Sequence, residues 1–168
     1  MVSCAARKKP SRVEEALANA AKDTAIPIRA HNLKNPMPNT AEVVEQGHQI
    51  YKQTCALCHG ADGHGRTNLG LGMYPPVMDL TALHAQHWTD AELFWIIQNG
   101  VRMTGMPSFQ ATLSADDAWK LAHLIHALPR LDAAAPDGAP AAPAKVEQDR
   151  VVYGRKLYRQ EGCFSAIN

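Results

Sequence analysis

Cys55-Ala56-Leu57-Cys58-His59 is the stretch that decides how the rest of this chain is read. Two thiols three positions apart, followed at once by an imidazole, form the C-x-x-C-H arrangement that attaches a c-type haem. In a turn of helix both sulfurs can reach the two vinyl groups on one edge of the porphyrin. His59 is then carried beneath the iron as the proximal ligand. A thioredoxin-like redox pair would sit in a βαβ pattern, which is absent here, and a Cys-rich zinc site would need a second Cys/His pair at matching spacing. The motif therefore predicts one covalently attached haem.

Upstream of the motif, Thr40 is a plausible N-cap, with Glu42 in the first turn after it. Val43, Gly47, Ile50 and Tyr51 then recur at helical spacing, so one apolar face runs up to Cys55. A glycine inside a helix costs about 1 kcal/mol against alanine, and Gly47 is explained by the close approach of a second helix. Downstream, Gly60 to Arg66 is too rich in glycine for regular structure, and Gly70, Gly72, Pro75 and Pro76 continue the loop to Leu80. Thr89-x-x-Glu92 is a capping box, and Leu93, Phe94, Ile96 and Ile97 predict a buried helix ending at Asn99-Gly100. Residues 101–113 read as a second loop. Ser114 caps a last helix with Asp116 and Asp117 in its first turn and Leu121, Ala122, Leu124, Ile125 and Leu128 on its apolar face; Pro129 is expected to stop it. No convincing alternating strand is present, so the fold class is all-α.

With three helices, the haem motif and a methionine loop in place, residues 40–129 resemble the class I c-type cytochromes. The likeness is to small bacterial mono-haem domains, both soluble and oxidase-associated. It rests on Gly47 and Tyr51, on Cys55-x-x-Cys58-His59, on Gly105-Met106-Pro107-Ser108-Phe109, and on the helix containing Trp119. The resemblance implies first and last helices that cross in contact, wrapped with the others around the haem, and a distal iron ligand at Met106. A thioether is a soft, neutral ligand that favours ferrous iron and raises the reduction potential, and Pro107 stiffens the loop that presents it. Met103 is the next choice, with Met73 and Met78 as further rivals; His64, His84 and His87 are expected in solvent. The resemblance also implies that a proline carbonyl in the loop after the motif orients His59. That carbonyl belongs to Pro75 or Pro76. Tyr74, Trp95 and Arg102 are candidates for hydrogen bonds to the haem propionates, set against simple packing for Trp95 and solvation for Arg102.

The rest of the 168-residue chain is apportioned around that domain. Residues 1–39 comprise a short helix over 11–23, opened by Ser11-x-x-Glu14, and an extended stretch from Ile26 to Asn39 marked by Pro27, Pro36 and Pro38. The cytochrome-like domain covers 40–130, and 131–144 is an Ala/Pro linker. Residues 145–168 repeat the head of the domain: Gly154, Tyr158 and Cys163 follow the order of Gly47, Tyr51 and Cys55, with one extra residue before the cysteine. No second thiol and histidine follow Cys163, so this segment is read first as the incomplete start of a second cytochrome-like domain, and otherwise as a degenerate tail that packs as an ordinary helix.

A formal net charge of +1, with no basic stripe interleaved with aromatics, excludes a nucleic-acid partner. No run approaches the 18 or so apolar residues of a membrane span. Four cysteines, Cys4, Cys55, Cys58 and Cys163, do not form a disulfide framework once two are given to haem. Cys4, after Val2-Ser3, is weighed as a lipid anchor and as a stray surface cysteine. Haem attachment places the domain in the periplasm or on the outer face of the cytoplasmic membrane. Three functions follow in order: an electron carrier between redox partner proteins, an electron-relay subunit or di-haem domain of a larger membrane oxidoreductase, and a haem peroxidase or gas sensor. The last needs a vacant iron position, which Met106 argues against.

Overall fold

The computed structural model describes residues 10–134. Cys4, most of the 131–144 linker and the repeat at 145–168 lie outside the described residues. Seven helices follow one another, with no strand among the described residues: α1 Arg12–Ala30, α2 Ala41–Thr54, α3 Ala56–His59, α4 Asn68–Gly72, α5 Leu83–Gln86, α6 Asp90–Asn99 and α7 Ala115–Ala134.

The starts of the long helices are written in their caps. Ser11 and Glu14 form a reciprocal capping box on α1, and Thr89 and Glu92 form another on α6. The Thr40 side chain accepts from Val43 N–H on α2, and Ser114 Oγ accepts from Asp117 N–H on α7. Between the motif and α6 the chain is more regular than its glycines suggest. Thr67 Oγ1 accepts from Gly70 N–H at 2.8 Å and starts the single turn of α4.

Both proline stop signals are overridden. Helix α1 runs through Pro27 instead of giving way to an extended stretch at Ile26. A proline inside a helix costs about 3 kcal/mol. The offset comes from burial, because Ile26 and Ala30 are 3% and 1% exposed, and a fully buried large aliphatic contributes about 1.5–3 kcal/mol. Helix α7 likewise continues past Pro129 to Ala134. Pro129 has no N–H for the Ile125 carbonyl one turn back, but the Gln86 side-chain amide donates to that carbonyl at 2.9 Å.

The core lies where α2 and α6 meet α7. Ala118, Leu121, Ala122 and Leu124 of α7 are fully buried. Trp119 stacks on Phe94 of α6, ring centres 3.9 Å apart. Gly47 is where α2 touches α7: a Cβ there would stand 2.6 Å from the Lys120 carbonyl oxygen. The close approach expected of that glycine is made by the last helix. After α1, Asn35 ties the returning chain to this core, donating to Asp90 Oδ2 at 2.8 Å with His123 Nε2 3.0 Å away.

Candidate functional site

The motif is bent into a tight turn by backbone bonds at the end of α2. Cys55 N–H bonds to the Tyr51 carbonyl at 2.8 Å, and His59 N–H bonds to the Cys55 carbonyl at 2.9 Å. Tyr51, 1% exposed, donates its hydroxyl to the Gly60 carbonyl at 2.8 Å and so clamps the turn from beneath. Both cysteines are half-buried free thiols. Burial pushes the Cys55 thiol up, against the pull of the Thr54 hydroxyl, so that it is held neutral.

His59 Nδ1 lies 3.2 Å from the Met78 carbonyl oxygen. A carbonyl can only accept, so Nδ1 carries the proton and the lone pair on Nε2 is left for a metal. Burial holds the imidazole below its ordinary pKa, with the Met78 carbonyl partly opposing. The ring is therefore kept in the neutral form that ligates. The expectation that Pro75 or Pro76 supplies this carbonyl is corrected: both prolines line the cavity, but the bond falls to Met78. Val77 N–H bonds to the Gly70 carbonyl at 3.1 Å and Leu80 N–H to the Gly63 carbonyl at 2.8 Å. These bonds fold the stretch beyond the prolines back toward the motif.

Cys55, Cys58, His59 and Met106 all face one apolar cleft. The Met106 loop is pinned to the end of α6. Val101 N–H bonds to the Met106 carbonyl at 3.1 Å, Met106 N–H to Thr104 Oγ1 at 3.1 Å, and Phe109 N–H to the Ile97 carbonyl at 3.1 Å. Gly100 makes this possible, with φ +69° and a missing Cβ that would stand 2.6 Å from the Pro107 carbonyl carbon. Of the rival methionines, Met103 is 96% exposed at positive φ and does not line the cleft, whereas Met73 and Met78 do. His64 and His84 are drawn to carboxylates, 2.9 Å from Asp79 and 3.6 Å from Asp23.

The three expected propionate partners are not on the cleft wall. Tyr74 is 40% exposed and donates its hydroxyl to Glu14 of α1 at 3.3 Å. Trp95 packs against the core from the side of α6, and Arg102 is exposed. In their place α1 lays Lys22 and Ile26 on the wall, and α5 is followed there by Trp88. Nothing in the sequence around Lys22 signals a site. Only the i, i+4 spacing of Lys22 and Ile26 could have suggested one face, and Pro27 masked it.

The donor set fits a covalent haem. Two thiols stand within a turn of a neutral imidazole, a thioether shares their cavity, and Leu93, Ile97, Leu121 and Ile125 supply apolar walls for the ring faces.

Comparison with known proteins agrees. The family described as cytochrome C oxidase, cbb3-type, subunit III matches residues 42–125. The chain is 28% identical over 134 residues to the thiosulfate dehydrogenase of Stutzerimonas stutzeri, covering 75% of this chain and 40% of that protein. It is 32% identical over 92 residues to the cbb3-type cytochrome c oxidase subunit FixP of Rhizobium meliloti, covering 54% and 29%. In a solved Kuenenia stuttgartiensis reducing HAO-like protein complex, one chain matches with a TM-score of 0.50 at 27% identity, covering 55% of this chain and 46% of that one. The chain thus spans less than half the length of each of these relatives. Because the matched region takes in half of the sequence and runs from α2 past the Met106 loop into α7, the chain belongs to the cbb3-type cytochrome c oxidase subunit III family and carries a c-type cytochrome domain.

Proposed function

We propose that the domain is a one-electron carrier holding a single haem, attached through Cys55 and Cys58, with His59 and Met106 as the two iron ligands. The observation that carries this reading is the convergence of those four side chains on one apolar cleft. When bound, haem c supplies a reversible Fe(III)/Fe(II) couple. His59 is oriented for ligation by its bond to the Met78 carbonyl. Met106 brings a neutral sulfur that favours the reduced metal, on a loop tied to α6 by Phe109 N–H to the Ile97 carbonyl and braced internally by Val101 N–H to the Met106 carbonyl and Met106 N–H to Thr104 Oγ1. The aliphatic walls exclude water. With His59 and Met106 both holding the iron, no position would be left on it for a substrate, which favours a carrier over a peroxidase or gas sensor.

The domain works outside the cytoplasm, as a relay within a larger oxidoreductase or between redox proteins that meet it briefly, through contacts of under about 1,200 Å². The relatives support the relay: one is named an oxidase subunit and another a dehydrogenase, and each is much longer than the shared region. No helix among the described residues is long and apolar enough to cross a membrane. Absorption spectroscopy of the purified protein tests the reading. A c-type spectrum that survives acidified organic solvent, a methionine-to-iron band in the oxidised form, and no rapid carbon monoxide binding by the reduced form are expected. A colourless protein, or fast carbon monoxide binding, would overturn it.

A further inference from the structure

Helix α1 lies outside the residues that the family match covers, yet it closes part of the cleft. Ile26 is buried in the core, and Lys22, one turn earlier on the same face, also lines the cavity. The helix is held in place from several sides. Ile26 and Ala30 are buried, the Asp23 carboxylate stands 3.6 Å from His84 on α5, and Tyr74 donates to Glu14. Among the described residues the Lys22 ammonium makes no hydrogen bond and no ion pair. Burial pushes its pKa down, with the carboxylates of Asp23 and Glu15 pulling the other way. A half-buried cation beside apolar walls is costly unless something pairs with it.

The proposed function above, on which this inference rests, puts a ligand with two carboxylates in that cleft. We propose that Lys22 is the haem-carboxylate anchor of this domain, donating from Nζ to a propionate. Helix α1 is thereby a functional part of the haem site and not a packing extension. The charge has a predictable electrical effect. A cation near the porphyrin, or one that neutralises a propionate, stabilises the reduced state, which carries one positive charge fewer. Removing it favours the oxidised state.

The test compares Lys22→Met, Lys22→Gln and Lys22→Arg with wild type as holoproteins, all poised at the wild-type midpoint. Met and Gln should lower the ferrous-to-ferric ratio roughly three- to tenfold. Arg should stay within about twofold. Met retains most of the aliphatic stem, so its thermal midpoint reports whether α1 stays docked. The propionate bending band in the resonance Raman spectrum should shift in Met and Gln and return in Arg. Ratios within about twofold and an unshifted band in Met and Gln would overturn the proposal while leaving the carrier reading intact. So would a shift that Arg fails to rescue. A wild-type protein with no covalent haem would overturn both.

Discussion

The two sides of the haem cleft are built differently. The helical side, α2, α6 and α7, is held by side chains meeting side chains: Leu121 and Leu124 are fully buried, Trp119 stacks on Phe94, and Gly47 lies against the α7 backbone. The loop side, from Gly60 to Thr81 and from Val101 to Leu113, buries fewer side chains and is held largely by main-chain bonds, such as Leu80 N–H to the Gly63 carbonyl and Val101 N–H to the Met106 carbonyl. Packing fixes a frame to within a fraction of an ångström and tolerates little change of volume. Main-chain bonds place single atoms, the Met78 carbonyl and the Met106 sulfur, and leave most other side chains of those loops free to vary. Substitutions on the two sides should therefore report through different observables: colour on the loop side, stability on the helical side.

The largest expected effect is at the junction. His59→Ala removes the nitrogen ligand, and Cys55→Ala with Cys58→Ala removes both attachment points. Either protein should lack the wild-type covalent c-type spectrum altogether, as read by haem stain on a denaturing gel. Next comes Met106→Ala. It should abolish the methionine-to-iron band and open the reduced protein to carbon monoxide, while costing less stability than a core truncation. Met73→Ala and Met78→Ala should both keep the band, although those sulfurs face the same cleft. Loss of the band in Met73→Ala and not in Met106→Ala would reassign the distal ligand and redraw the loop side of the comparison.

The same division explains what could be read from the sequence. Helices α2, α6 and most of α7 were legible because caps and apolar periodicity are local signals, and Gly47 pointed to its own contact. Cys55, Cys58, His59 and Met106 could be singled out because the proposed chemistry is specific to certain residue types, and the structure sets all four on one cleft. The overridden prolines were not. What rescues Pro129 is Gln86, whose amide reaches the Ile125 carbonyl from 39 residues away, and what rescues Pro27 is tertiary burial of Ile26 and Ala30. The carbonyl that orients His59 was missed by two residues because a main-chain atom has no identity in a sequence. Tyr74, Trp95 and Arg102 were candidates by residue type, whereas Lys22 reaches the cleft from a helix that begins outside the family match.

On the helical side, Gly47→Val should be the most damaging single change. A Cβ there already stands 2.6 Å from the Lys120 carbonyl, and two further methyls must push α2 off α7. Overpacking of this kind costs about 1–3 kcal/mol or more, visible as a lower urea midpoint. If the covalent chromophore still forms, its spectrum should change little. A large shift in colour with unchanged stability would break the proposed division.

Tyr51 is the smallest perturbation and the sharpest, because it belongs to the helical side while its hydroxyl holds the turn that carries His59. Removing the hydroxyl in Tyr51→Phe leaves the Gly60 carbonyl without its donor and should cost about 1 kcal/mol at neutral pH. The ionisation of this phenol supplies a second readout. Burial raises its pKa well above the ordinary tyrosine value, with the Asp62 carboxylate adding to the rise. The folded protein therefore keeps the proton after the unfolded chain has lost it at about pH 10. The unfolded state then binds fewer protons, so stability falls as pH rises, by up to about 1.4 kcal/mol per pH unit for this one group. Below pH 10 the contribution is fully present. The difference in unfolding free energy between wild type and Tyr51→Phe should accordingly shrink from pH 9 to pH 11 and reverse if the wild-type decline exceeds the value of the bond. A difference that stays constant across that range would mean the hydroxyl is not buried against Gly60, and the clamp joining the two sides would have to be sought elsewhere.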